Sequence, residues 1–151
     1  MKVIFTDLVA VFLCMSLGTA CEGGPPPFTA GRTLLRVGEG PVEVPVDVLN
    51  HGQVLFHRYC ASCHGYEGRG DGPAARNLEI KPRDFQAAQF LHGSAGAGEL
   101  PADSDLKRTI RTGVTTRGMP AWGGMQDADL DALVSYIKTF SPRWQPAPTA
   151  P

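Results

Sequence analysis

The chain has 151 residues, of which 42% are hydrophobic and 19% charged, and its formal net charge at pH 7 is −1. A nearly neutral chain is not expected to bind nucleic acid, which favours a strongly basic surface. Both ends are rich in proline or glycine, so we expect one folded domain at residues 46–141. A domain this short buries a modest core and often needs a metal, a disulfide or a cofactor.

Residues 1–20 are typical of a signal peptide. The apolar run Leu8–Leu17 is short for a bilayer span but suits a signal-peptide core. The small residues Gly18 and Ala20 allow ordinary cleavage, whereas Cys21 resembles the lipidated cysteine of a bacterial lipobox. Lipidation is favoured, because an unpaired N-terminal cysteine is a liability in an oxidising compartment. Both interpretations predict export to the periplasm or the outer face of a membrane.

The segments on either side of the domain lack a clear period. Residues 21–45 contain five prolines and five glycines, and we interpret them as an extended tether that is stiffened by proline. Residues 142–151 form a similar Pro-rich tail. The sequence leaves open whether Trp144 packs back onto the domain.

Apolar spacing within the domain predicts an all-α fold. Helices are expected at residues 47–59, 104–112 and 127–140, with a shorter one around residues 85–91. Asp103 or Ser104 is the expected cap of the second helix, and Gly113 its end. Gly52 and Phe56 on the first helix are expected to meet Tyr136 on the last. No segment has a convincing strand pattern.

The chemistry is concentrated in Cys60-Ala61-Ser62-Cys63-His64. Two thiols at this spacing can add to the two vinyl groups of one haem, and the adjacent histidine can ligate its iron. A redox dithiol would need a βαβ context, and a zinc site would need further ligands. The motif therefore predicts one covalently bound haem c, attached through Cys60 and Cys63 with His64 on the iron.

Cys60 to Gly65, the glycines that follow, and Gly118-Met119-Pro120-Ala121-Trp122 together resemble the class I c-type cytochromes of bacteria. The resemblance covers roughly Val46 to Phe140. It implies a compact helical fold around one haem, with histidine and methionine as axial ligands.

Met119 is the expected sixth ligand, because a thioether favours ferrous iron. It lies between Gly118, which permits close approach of the backbone, and Pro120, which stiffens the loop. Met125, His92 and an open site are the alternatives.

A ligating imidazole should donate its other N–H group to a backbone carbonyl. In the family, a proline after the motif supplies this carbonyl, and Pro73 matches that position best, with Pro82 second. Arg83 and Trp122 are candidates to bind the haem propionates.

Six-coordinate iron has no open position, so the chain is expected to carry single electrons between redox protein partners, alone or as a subunit of a membrane respiratory complex. A haem enzyme or gas sensor with an open sixth position is the alternative. Lys107, Arg108, Arg111 and Arg117 form either a docking patch for an acidic partner or an ordinary solvated face.

Overall fold

The structure is a computed structural model that describes residues 25–29, 32–37, 40–90, 94, 96 and 98–146. The predicted signal peptide, Cys21 and His92 lie outside these residues, as does the tail beyond residue 146. Within the described part of the chain, no helix has both the length and the apolar character needed to cross a bilayer.

The described residues form a mostly helical domain, which confirms the predicted all-α class. The helices are α1 (Val46–Tyr59), α2 (Ala61–His64), α3 (Asp103–Thr112) and α4 (Asp127–Lys138). Short 3-10 turns occur at Pro73–Asn77, Thr115–Arg117 and Pro142–Trp144. The three long helices begin within one residue of their predicted starts. Gly113 ends α3 as expected, but Ala102 occupies the cap position and no side chain caps the helix.

The predicted short helix at residues 85–91 is wrong. Residues 85–88 form a turn, in which the side chain of Asp84 accepts hydrogen bonds from the backbone N–H groups of Gln86 and Ala87. Ala88 then adopts a left-handed conformation with a φ of 47°. The Asp84 side chain caps the start of this segment, and the left-handed Ala88 lies four residues later, so the segment is limited to a single turn.

The core forms where α1 crosses α4. A Cβ atom on Gly52 would lie 2.1 Å from the carbonyl oxygen of Ala132, so the two helices touch backbone to backbone. One turn later, the rings of Phe56 and Tyr136 lie 5.4 Å apart. The predicted contact between the first and last helices is confirmed.

Residues 32–37 and 40–45 form two paired strands, so the interpretation of residues 21–45 as an extended tether is wrong for this part of the segment. Strand β1 (Arg32–Val37) pairs antiparallel with β2 (Gly40–Pro45). Leu35 and Val44 are buried and form a small second core with Leu49 of α1. In β2 only Val44 is buried, and Pro45 stands at the end of the strand, where proline is tolerated. The sequence signal for this strand is therefore weak.

Residues 25–29, which we call the N-terminal strap, lie against α1 and α4. Asn50 accepts a hydrogen bond from the N–H of Phe28 (2.8 Å) and donates one to its carbonyl (3.2 Å). Gln53 donates to the carbonyl of Pro25 at 3.0 Å. The strap is therefore bound to the domain.

The tail begins as part of the domain. Trp144 is 2% exposed, and its ring lies 5.5 Å from that of Phe90. The guanidinium of Arg143 donates to the carbonyls of Ala88 and Gly98. Trp144 thus packs back onto the domain, which settles a question the sequence left open.

Candidate functional site

Residues 60–72, which we call the cysteine segment, present two thiols and an imidazole within one helical turn. Cys60 ends α1, and its carbonyl accepts hydrogen bonds from the N–H groups of Cys63 (3.1 Å) and His64 (2.9 Å). Both cysteines are free and partly buried. Backbone bonds within one turn therefore place all three groups together, as haem attachment requires.

The site does not favour the alternatives to haem attachment. Burial, with a smaller contribution from Cys63, raises the pKa of Cys60 to about 12, so Cys60 does not suit the attacking thiol of a redox dithiol, which needs a lowered pKa. A zinc site needs four ligands. In the residues described, no three or more His, Cys, Asp and Glu side chains converge on a possible metal position.

His64 is held as a metal ligand should be. Its side chain is buried, and Nδ1 donates to the backbone carbonyl of Arg83 at 3.0 Å, with the tautomer assigned from this acceptor. Burial lowers the pKa of the imidazole, which favours the neutral form that binds iron. With Nδ1 occupied, Nε2 is the donor that remains. Two free thiols and this imidazole fit a covalently attached haem.

The predicted acceptor of this hydrogen bond is wrong, because Arg83 supplies the carbonyl rather than Pro73 or Pro82. Pro73 is exposed and begins a 3-10 turn. The carbonyl oxygen of Pro82 instead lies against Gly70, where a Cβ atom would be only 2.4 Å away. The carbonyl of the next residue, Arg83, is the one that reaches His64.

The rest of the cysteine segment folds back onto its first turn. The N–H of Gly70 donates to the carbonyl of His64 at 2.8 Å, and that of Gly72 donates to Cys63 at 3.1 Å. Gly70 has a φ of 74°, a conformation that side chains disfavour. The segment therefore closes a hydrogen-bonded loop around its own histidine.

Residues 113–125, which we call the methionine loop, carry Met119 and Met125. The backbones of Val114 and Met119 exchange two hydrogen bonds, at 3.0 and 3.2 Å. Both methionines are partly buried against the main core. A Cβ atom on Gly118 would lie 2.7 Å from Leu78, which follows the first 3-10 turn. Main-chain bonds thus fix Met119, and Gly118 holds its loop against the chain that follows the cysteine segment.

Trp122 and Arg83, the two candidates to bind the haem propionates, lie beside different aromatic rings. The ring of Trp122 lies 4.9 Å from that of Tyr59, the residue before Cys60. The guanidinium of Arg83 lies 6.0 Å from the centre of the Phe90 ring. Their propionate contacts remain predictions, but the backbone of Arg83 has a role that the sequence did not indicate.

The four positively charged side chains on and just after α3 are mostly paired with carboxylates. Three of the four form ion pairs, which are Lys107–Asp131, Arg108–Asp105 and Arg111–Asp127. Arg117 is exposed in the methionine loop. The group is therefore closer to a mixed-charge face than to a uniformly positive docking patch.

The family model described as cytochrome c oxidase, cbb3-type, subunit III matches residues 47–137. A solved chain of the Kuenenia stuttgartiensis reducing HAO-like protein complex is similar in fold, with 33% identity and a TM-score of 0.61. That likeness covers 70% of this chain and 50% of the other, so the chain matches half of that neighbour's length. The search of curated proteins gave no significant match.

The family match covers the helices, the cysteine segment and most of the crossing between α1 and α4. Its c-type cytochrome domain carries the same chemistry that the two thiols and the imidazole of this site can perform. The chain therefore belongs to the cbb3-type subunit III family and contains a class I c-type cytochrome domain with a covalently bound haem c.

Proposed function

We propose that this protein is an exported one-electron carrier in which His64 and Met119 would both ligate the haem iron. The observation that carries the proposal is the hydrogen bond of 3.0 Å from Nδ1 of His64 to Arg83, which leaves Nε2 as the donor nitrogen. When bound, the haem supplies a one-electron change between ferric and ferrous iron. The chain supplies the ligands, their orientation and an apolar shell.

Met119 is preferred to Met125 because its backbone is tied down at both its N–H and its carbonyl. Met125 donates one backbone hydrogen bond to Trp122 at 3.1 Å and stands just before α4. A ligand on a fixed loop loses less conformational freedom when it binds the iron. A thioether in this position favours the ferrous state.

Absorption spectra of the exported protein test the ligand set. We expect Met119→Ala to keep the covalent haem but lose the iron–thioether absorption band, because the sixth ligand is removed. Met125→Ala is the matched control, since it deletes the other partly buried methionine of the same loop. Retention of the band in Met119→Ala, with loss in Met125→Ala, would assign the ligand to Met125 and contradict the proposal.

The proposed location is the periplasm or the outer face of a membrane, with a lipid on Cys21. The lipobox-like residues before Cys21 support an anchor, and the strap makes that anchor short. Only three residues separate Cys21 from Pro25, whose carbonyl is bound by Gln53. Four Cα–Cα steps of about 3.8 Å reach at most about 15 Å. The lipid would therefore hold the domain close to the membrane surface.

Mass spectrometry of the mature N-terminus checks this part of the proposal. A diacylated Cys21 is expected in the wild type, and Cys21→Ser should move the protein from the membrane fraction to the soluble fraction. An unmodified N-terminus in the membrane-free fraction of the wild type would contradict lipidation.

The proposed partners are redox proteins within a larger membrane oxidoreductase. The matching family is described as an oxidase subunit, and the similar solved chain comes from a protein complex. Affinity purification of the anchored protein in mild detergent should recover it with stoichiometric partners. Elution of a single polypeptide under the same conditions would favour a free carrier.

A further inference from the structure

An aromatic ring lies face to face with the histidine of the cysteine segment. The rings of Phe85 and His64 are 4.6 Å apart and inclined by only 15°. This separation is within the contact range of paired rings. No motif in the sequence indicated Phe85, which lies 21 residues after His64.

Phe85 is itself held in place. It is 8% exposed, and its N–H donates to the carbonyl of Gly68 at 2.7 Å. Phe140 lies nearly parallel to it, with ring centres 6.2 Å apart, and Phe56 meets it at an angle at the same distance. The backbone bond and the two neighbouring rings leave Phe85 little freedom to tilt away from His64.

We infer that Phe85 is a positioning residue that fixes the plane of the axial imidazole, an inference that rests on the proposed ligation of iron by His64. The hydrogen bond to Arg83 fixes the direction of Nδ1, but the ring can still tilt about that bond. A parallel ring at 4.6 Å removes this remaining freedom. Phe85 also covers one face of the imidazole and limits the approach of water.

The orientation of an axial ligand has a spectroscopic signature. The plane of the imidazole influences how the d orbitals of ferric iron are split, which sets the g-values of the electron paramagnetic resonance spectrum. It also sets the spread of the hyperfine-shifted haem methyl resonances. A residue that only fills space in the core would not change either observable, so these measurements separate positioning from packing.

The experiment uses the exported holoprotein with Phe85→Leu, Phe85→Tyr and the control Phe90→Leu. Phe90 has the same exposure, 8%, and its ring lies against Trp144 and the guanidinium of Arg83, whereas it is the main-chain carbonyl of Arg83 that binds His64. We expect Phe85→Leu to shift or broaden the g-values and to lower the reduction potential, because water then stabilises the ferric form. Phe85→Tyr should keep the wild-type spectrum. Phe90→Leu should lower the melting temperature without changing the g-values.

Identical g-values and methyl shifts in Phe85→Leu and the wild type would overturn the inference, as would equal spectral changes in Phe90→Leu. If Phe85→Leu does not fold, Phe85→Met can replace it, because a flexible thioether fills the space without stacking. Failure of the underlying ligand proposal is distinguishable. It would appear as a low-spin spectrum that survives His64→Ala, whereas failure at Phe85 alone leaves the histidine-dependent spectrum intact.

Discussion

The cysteine segment and the methionine loop present their metal-binding groups in different ways. In the cysteine segment, neighbouring residues supply two thiols and an imidazole. The backbone hydrogen bonds of Cys63 and His64 stay within the segment, and only the imidazole of His64 reaches outside it, to the carbonyl of Arg83. The methionine loop offers single thioethers that are partly buried, and Gly118 and Pro120 beside Met119 are exposed. Local backbone geometry therefore brings the thiols and the imidazole together. Hydrogen bonds to Val114 fix Met119 within its own loop, but tertiary packing positions that loop relative to the cysteine segment.

The site is therefore firmly built at its thiols and adjustable at its methionine. The methionine loop is positioned through distant contacts, such as Trp122 on Tyr59 and Gly118 on Leu78. Small changes in packing can therefore move Met119 without disturbing the thiols. We expect damage to the cysteine segment to abolish the cofactor, and damage to the methionine loop to change only its ligation.

The largest effect is expected from Cys60→Ser with Cys63→Ser. Without either thioether the haem is not covalently attached, so acid–acetone should extract all of it. The domain should also lose stability, because a covalently attached haem adds buried apolar surface to a modest core. Helix content by circular dichroism and the melting temperature measure this loss. Cys21→Ser is the control. Covalent haem remaining in the double variant would show that Cys60 and Cys63 are not the attachment points.

A smaller, selective effect is expected from Gly113→Ala in the methionine loop. Gly113 has a φ of 67°, and a Cβ atom there would lie 2.7 Å from the carbonyl of Met119. The combined strain should cost about 1–3 kcal/mol and displace Met119. We predict loss of the iron–thioether band with full retention of covalent haem.

Gly124→Ala is the matched control for this variant, because nothing lies within 4 Å of the added carbon. Its spectrum should be that of the wild type. An unchanged thioether band in Gly113→Ala would show that the loop tolerates the strain, and that Met119 is less tightly positioned than its hydrogen bonds indicate.

The same distinction explains what the sequence could predict. The haem motif is read directly, because the Cys60 and Cys63 thiols and His64 are contiguous, and the long helices follow from their apolar period. The acceptor for His64 could not be identified, because the carbonyl of Arg83 is a main-chain group that every residue possesses. The ring of Phe85 has no signature either, since a core phenylalanine and a positioning one look the same in a sequence.

The contacts of the terminal segments could not be predicted for a related reason. The composition of the N-terminal segment suggested a tether, but Asn50 and Gln53 bind the backbone of the strap. The position of Trp144 was left open, and its ring is buried beside Phe90. These contacts join residues that are far apart in the chain. A high proline and glycine content indicates that a segment lacks the regular apolar spacing of a helix or strand. It does not show whether the folded domain binds that segment.

The smallest effect is expected at the charged face beside the methionine loop. The ion pairs Lys107–Asp131, Arg108–Asp105 and Arg111–Asp127 offset three of its four positive charges. Exposed pairs contribute about 0–1 kcal/mol each. We therefore predict that electron transfer to an acidic protein partner slows by less than about tenfold between low and physiological salt. Stopped-flow rates at several ionic strengths measure this dependence, with Asp131→Asn as the variant that frees one cation. A steep salt dependence in the wild type, unchanged by Asp131→Asn, would mean that these pairs do not mask the face and that the methionine loop is bordered by a true docking patch.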